Sequence, residues 1–268
     1  MTSYKKSNFG GAFFFLPEEK KEALGIVYSF CRLADDIVDE GYSDAPQQLA
    51  ILREAVDAAF ENRASTELGR ALQGVIQKYP IPKQYFLDVI DGVSRDLNTP
   101  VRFETYGDLK WYMYRVASAV GLMCIEIFGY TNPACKQYAE IMGYAVQMTN
   151  ILRDIKEDAA INRIYLPKED LDKFGLSEQD ILKPAENTRL NDLLVFEAKR
   201  AQNYYDEARR LLPKEDFNSL MAARAMGNIY EAVLHKILKM PCRAAVKKIK
   251  LSKWEKFFIL IKTWREDA

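Results

Sequence analysis

Apolar residues recur at helical spacing from one end of the chain to the other, and no stretch alternates with the two-residue period of a strand. Pro17-Glu18-Glu19 opens the first predicted helix, with proline at N1 and acids in the first turn. That helix runs to about Glu40, and Gly41-Tyr42-Ser43-Asp44 reads as a turn. Helices follow at about 45–62, 66–79 and 83–97, the last entered through Pro80-Ile81-Pro82. Thr105 with Asp108 has the spacing of a capping box and opens a helix ending near Gly129. Pro133 starts the longest helix, which reaches about Asp158. A loop through Asn162 to Pro167 leads to a short helix near 168–173, and long helices at about 188–212 and 216–239 are broken by Pro213 and Pro241. No linker, repeat or low-complexity segment divides the 268 residues. The pattern therefore predicts one all-α domain spanning residues 1–268.

Two of these helices carry polar stripes that amphipathicity alone does not explain. In the first, Tyr28, Arg32, Asp35 and Asp39 are spaced 4, 3 and 4, while Ile26, Val27, Phe30, Leu33, Ala34, Ile37 and Val38 fill the remaining faces. In the longest, Gln147, Asn150, Asp154 and Asp158 are spaced 3, 4 and 4, against Met148, Ile151, Leu152 and Ile155. Each stripe sets two carboxylates one turn apart, roughly 6 Å along the axis. One acidic stripe is commonly a row of surface ion pairs. Two matched stripes on mostly apolar helices need a shared partner, because a buried carboxylate without one is strongly disfavoured.

Composition narrows what that partner is. The 38 basic and 38 acidic residues cancel, so no general attraction to nucleic acid is implied. Cys31, Cys124, Cys135 and Cys242 form no CxxC pair, which fits reduced thiols of a cytoplasmic protein. With His235 as the single histidine, sites built on paired histidines are excluded. The apolar part of the first fifteen residues is too short for a signal sequence, and no run approaches a membrane span.

Carboxylate oxygens without sulfur or imidazole suit a hard ion such as Mg²⁺, which keeps waters and shares phosphate oxygens. Arg32 and Arg153, beside the acids, would add charge-assisted bonds to phosphate. The expectation is a Mg²⁺-diphosphate site above an apolar cavity. Such a site can ionise a carbon–diphosphate bond, stabilising the leaving group while water is kept from the carbocation. Phe9, Phe13, Tyr28, Tyr112, Tyr114, Tyr165 and Tyr230 could turn ring faces towards cationic carbon, although most core aromatics are packing.

At these residues the chain resembles the squalene/phytoene synthase family, the head-to-head trans-isoprenyl diphosphate synthases. The resemblance runs through Phe9-Gly10-Gly11-Ala12-Phe13, Tyr28 to Asp39, and Tyr112 to Gly121. It continues through Gln147 to Asp158 and Arg163-Ile164-Tyr165-Leu166-Pro167. Terpene cyclases and chain-elongating synthases share acidic helices but not that last pair of motifs. The resemblance implies an isoprenoid-synthase-type helical bundle around a central cavity. Asp35, Asp39, Asp154 and Asp158 would hold Mg²⁺ and two prenyl diphosphates, with Arg32, Asn150 and Arg153 in the diphosphate shell. Tyr28, Tyr114, Gln147, Tyr165 and Tyr230 would line the reacting centre, and Phe9 and Phe13 would contact hydrocarbon. Asp96 matches an acidic position of the family, while Ser7-Asn8 stands where many members have a basic residue. The basic residue after the Tyr230 helix aligns equally with Lys247, Lys248 or Lys250.

Within that family, Arg115-Val116-Ala117-Ser118-Ala119-Val120-Gly121-Leu122 and Ile127-Phe128-Gly129-Tyr130 resemble bacterial presqualene diphosphate synthases. That implies two farnesyl diphosphates joined to a cyclopropyl carbinyl diphosphate, without NADPH. A phytoene synthase joining two geranylgeranyl diphosphates, or a squalene or dehydrosqualene synthase, is the alternative. A non-catalytic assembly factor on the same fold is more distant. Finally, a basic stretch from Lys236 to Lys253 precedes Trp254, Phe257, Phe258, Leu260, Ile261 and Trp264. Such a tail either closes the bundle or lies peripherally on a membrane.

Overall fold

Proline and short polar side chains set most of the helix starts. The computed structural model describes residues 16–40, 42–97, 100–185 and 187–266. Pro17 precedes α1 (Glu18–Asp39), Pro46 lies in the first turn of α2 (Ala45–Phe60), and Thr66 caps α3 (Glu67–Lys78). Pro82 precedes α4 (Lys83–Ser94), which tightens into a 3₁₀ turn over Arg95–Leu97. The Thr105–Asp108 capping box opens α5 (Tyr106–Met113) as its spacing predicts. A π turn, Tyr114–Ser118, joins α5 to α6 (Ala119–Phe128). Pro133 precedes α7 (Ala134–Ala160), and Pro167 precedes α8 (Lys168–Lys173). α9 (Glu178–Leu182), α10 (Thr188–Leu211), α11 (Met221–Lys239), α12 (Pro241–Val246) and α13 (Lys253–Arg265) complete the chain. Among the described residues there is no strand, and the all-α expectation holds.

Three boundaries differ from the periodicity. The helix expected from 216 starts at Met221, because Asp216 is buried and accepts the backbone N–H groups of Thr131 at 2.6 Å and Asn132 at 2.8 Å. Those bonds pin its segment as a turn beneath α7. The short helices α9 and α12 carry too few turns for a period to register. The segment from Thr105 to Gly129 is interrupted by the π turn, and close packing accounts for its position. A Cβ on Gly143 of α7 would lie 2.4 Å from the Ser118 Cα, and one on Gly92 of α4 would lie 2.7 Å from the Arg115 Cβ. Two glycines thus let neighbouring helices close on the π turn from both sides, and Ser118 Oγ donates to the Glu140 carbonyl at 2.7 Å. Gly129 ends α6 at φ 78°, a left-handed conformation that glycine adopts without a Cβ penalty.

α7 lies at the centre, packed by α5, the π turn and α6 on one side and by α10, α11 and α12 on the other. It buries Tyr138, Ile141, Ala145, Met148, Leu152 and Ile155, residues that point to several sides of the helix rather than to one stripe. α1 buries Leu24, Val27, Phe30, Ala34 and Ile37 against α2, α3, α4 and α6.

Gly143→Ala is expected to destabilise the protein by about 1–3 kcal/mol in urea denaturation, because the methyl meets backbone rather than a movable side chain. Gly74→Ala, in open space on α3, is expected to stabilise it by about 1 kcal/mol through helix propensity alone.

Candidate active site

A cavity of about 320 Å³ lies between α1, the π turn, α6, α7 and α11. Most of its wall is apolar, including Leu24, Val27, Val120, Ile125, Met142 and Val146. Its polar residues are Tyr28, Arg32 and Asp35 from α1, Gln147 and Asn150 from α7, and Tyr230 from α11, with Tyr138 at the other end. Six of the residues expected at the site from the sequence therefore face one space. Asn150 donates to Gln147 at 3.3 Å, and the Asn150 Oδ1 is buried with no hydrogen-bond partner among the described residues. The Tyr138 hydroxyl is likewise buried, with no hydrogen-bond partner among the described residues.

The remaining acids sit on the same stripes, outside the cavity lining, and each stripe holds one carboxylate that is ion-paired. Asp39 accepts from Arg163 Nη1 at 2.8 Å. Asp154 is held by Arg153, whose Nε donates at 2.9 Å, and by Lys248 Nζ at 2.6 Å. Burial would raise Asp154, but Arg153 and Lys248 outweigh it and hold its carboxyl below the usual range. The other member of each stripe is different. Asp35 opens onto solvent in the cleft yet is ringed by protein, and that confinement, with the Asp39 charge, pushes its pKa up to about 7. Burial and the Asp154 charge likewise push Asp158 up to about 7, against the pull of Arg163. Arg32, meanwhile, pairs with Asp36 at 2.6 Å on the α1 rim.

Below Asp39 and Asp158 lies a buried triad. Asp96 accepts from the hydroxyls of Tyr112 at 2.9 Å and Tyr165 at 3.1 Å, both on Oδ2, while its Oδ1 has no partner among the described residues. The rings of Phe103, Tyr112 and Tyr165 pack together with centroids 5.3–5.9 Å apart. Burial raises the Asp96 pKa, opposed by Arg163 and the two hydroxyls. Arg163 thus acts on Asp39, Asp96 and Asp158 at once and ties the two stripes together electrostatically.

A second cavity of about 290 Å³ adjoins the first across Tyr230. Arg153, Lys248, Lys250 and Lys256 line it, and the Arg153 guanidinium lies 5.9 Å from the Tyr230 ring centroid. Of the three lysines that align with the family's late basic residue, Lys248 is the one that reaches an acidic stripe. Three aromatic assignments, Tyr112, Tyr114 and Tyr165, stand apart from the cavity lining. Tyr114 is half-buried on the π turn, with Asp88, Glu140 and Tyr85 as its electrostatic neighbours. Tyr112 instead joins Asp96 and Tyr165. Phe9 and Phe13 lie outside the described residues.

Carboxylates, an orphan amide oxygen and cations in this order provide hard oxygen donors beside anion-binding groups, the chemistry expected of a metal–diphosphate site. Among the described residues no three ligating side chains converge into a preformed metal cage.

The class these features define is an all-α bundle with an acid-rimmed apolar cavity. The chain belongs to the squalene/phytoene synthase family, whose pattern it matches over residues 3–255. It is 34% identical over 263 residues to the presqualene diphosphate synthase of Zymomonas mobilis, covering 96% of this chain and 89% of that one. It is 35% identical over 244 residues to the phytoene synthase of Mycobacterium tuberculosis, covering 88% and 79%. A solved dehydrosqualene synthase in complex with ligand superposes with a TM-score of 0.86 at 31% identity, covering 98% and 93%. The fold and family make this protein a prenyltransferase of the head-to-head type.

Tyr112→Phe removes one of the two hydroxyls that solvate the buried Asp96 carboxylate, and is expected to cost about 1–3 kcal/mol of stability in chemical denaturation. Tyr114→Phe should stay within about 0.5 kcal/mol of the parent protein in the same measurement.

Proposed function

We propose that the protein condenses two farnesyl diphosphates into presqualene diphosphate. The observation that carries this reading is the mostly apolar cavity faced by Arg32 and Asp35 on one wall and by Gln147 and Asn150 on the other. Asp35, Asp39, Asp154 and Asp158 would hold Mg²⁺, for which their hard oxygen donors are suited. Bound there, the ion would add positive charge to the diphosphate oxygens. Arg32, Arg153 and Lys248 would grip the diphosphates, favouring loss of one as an anion and positioning the second allylic chain. The apolar wall excludes water from the C1 cation that this leaves. The Tyr28 and Tyr230 side chains line the same space, where ring faces can stabilise the positive carbon.

Attack on C1 by the C2=C3 double bond of the second substrate, followed by proton loss, closes the cyclopropane. The products are one cyclopropyl carbinyl diphosphate, one inorganic diphosphate and one proton. This sequence needs no reductant, so NADPH is not required. Free thiols at Cys31, Cys124, Cys135 and Cys242 agree with a cytoplasmic setting, and among the described residues no helix is long and apolar enough to cross a membrane.

Similarity to phytoene synthases favours a second reading with C20 donors, and similarity to a dehydrosqualene synthase favours a C30 product carried beyond the cyclopropyl stage. From the Asn150 turn to the Tyr138 turn of α7 is about 18 Å. At roughly 1.2 Å per bond a farnesyl chain extends about 13 Å and a geranylgeranyl chain about 18 Å. A C15 chain therefore leaves room before Tyr138, and a C20 chain would reach it.

With Mg²⁺ and farnesyl diphosphate, mass spectrometry should find a C30 cyclopropyl diphosphate in the absence of NADPH. Product from geranylgeranyl diphosphate alone would instead establish the C20 reading. Asp39→Ala and Asp158→Ala are each expected to abolish turnover while circular dichroism stays that of the folded parent. Full activity in both would remove the site assignment.

The raised carboxylates also set a pH dependence. Because the folded pKa of Asp35 and Asp158 lies near 7, above the unfolded value of 3.8, their contribution to stability is complete below about pH 4 and is lost as pH rises through 7. Thermal unfolding of metal-free protein should accordingly show a lower midpoint at pH 8 than at pH 6. Added Mg²⁺ should raise the midpoint at pH 8 much more than at pH 6, and Asp158→Asn should shrink both differences.

A further inference from the structure

The outer face of α13 lines neither cavity, and its side chains are unusual for solvent. Trp254, Phe257, Phe258 and Trp264 are 71%, 50%, 64% and 54% exposed. With half-buried Ile261 they fall at i, i+3, i+4, i+7 and i+10, one continuous apolar stripe about 15 Å long. The opposite face is fully engaged with α11. Thr263 is buried and accepts from Asn228 at 2.8 Å, Leu260 packs on the core, and Glu255 pairs with Lys236 at 2.7 Å. The helix is therefore docked in a fixed orientation with its aromatic side outward. Its Ser252–Glu255 capping box fixes the start as well.

Charge surrounds this stripe on one sign. Exposed Lys247, Lys250 and Lys253 precede it along the chain, and exposed Lys262 and Arg265 lie towards its far end. Of the acids described on this segment, Glu255 is bonded to Lys236, and Glu266 to Arg224 at 3.4 Å with Lys262 at 4.0 Å. A second copy of the chain meeting the same face across a two-fold axis would set lysines against lysines. An anionic lipid surface meets both features: headgroups attract the lysines, and tryptophan and phenylalanine settle at the headgroup–acyl boundary.

We infer that the outer face of α13, with the lysines around it, docks the protein on an anionic lipid bilayer. The inner side of the same helix carries Lys256 in the cavity that adjoins Tyr230, so docking brings the reacting centre to the membrane surface. If the proposed reaction is correct, that is where its hydrocarbon-tailed substrates and product reside. The docking itself does not depend on the reaction.

The test is co-sedimentation of the full chain with extruded vesicles of phosphatidylcholine, alone or mixed two to one with phosphatidylglycerol. The protein should pellet with the anionic vesicles and stay largely in solution with the neutral ones. Joint replacement Lys253→Glu and Lys262→Glu should weaken binding roughly twentyfold or more, since each lysine near such a surface contributes about fivefold. Trp254→Ser with Phe257→Ser and Phe258→Ser should abolish it. Equal binding by either variant, or parent protein left in solution with anionic vesicles, would overturn the proposal. So would a dimer, seen by light scattering, that the serine variant dissolves while no protein pellets with lipid. Because the readout is mass on lipid, inactive protein that binds and active protein that does not are told apart.

Discussion

Negative charge confined between two helices governs this molecule. Five aspartates (Asp35, Asp39, Asp96, Asp154 and Asp158) crowd one end of the bundle, and burial there raises the pKa of Asp96 and Asp158. Arg163 answers part of that charge from a loop, and Arg153 with Lys248 answers another part from the opposite side. The compensation is incomplete and it is asymmetric. In each stripe one carboxylate has a cation within hydrogen-bond reach, and its neighbour a turn away has its acidity driven towards neutrality. A folded chain tolerates that arrangement at a cost, and ligands of opposite charge can recover it.

The bundle makes the arrangement possible by how closely its helices approach. Gly143 and Gly92 admit the π turn between α7 and α4, and the turn in place sends Val116 and Ala117 into the cavity wall. π turns of this kind occur often at functional sites because they rotate side chains without ending the helix. α7 then carries the gradient along its length: Tyr138 and Met142 in the apolar end, Gln147 and Asn150 at the centre, Asp154 and Asp158 at the charged rim. On the proposed reading, one helix of 27 residues would set the order of hydrocarbon, reacting carbon and diphosphate along its length.

Much of this was legible because helices write their faces into sequence at fixed spacing. The two stripes, the Thr105–Asp108 cap and the proline-led starts are all local patterns, and each appears where its spacing puts it. The tyrosine pair was not legible in the same way. Tyr112 and Tyr114 are two apart, so they stand on nearly opposite sides of a helix, and the segment is apolar enough on both sides that no period chooses between them. Packing chose: Asp96, brought in by the 3₁₀ turn after α4, takes the Tyr112 hydroxyl. Lys248 was equally hidden. It follows α12, where no helical repeat relates one lysine to the next, and only the fold brings it to Asp154.

The positive groups also lie in a continuous order, and this constrains how the ends of the molecule work together. Arg153 and Lys248 stand at the acidic stripe, Lys250 and Lys256 line the adjoining cavity, and Lys253 and Lys262 emerge on the surface beside the aromatic row. An anion anywhere along that path lowers the potential felt by the next, so a diphosphate and a phospholipid headgroup draw on one field. Salt would weaken the outer end first, because charges there are screened by water and ions, while those near Asp154 are held in protein. On the proposed docking, the inner cations would keep a diphosphate under conditions that release the outer face from lipid. Binding at the rim and the proposed docking at the surface would be electrically related but separable, and the separation would follow from burial rather than from distance alone.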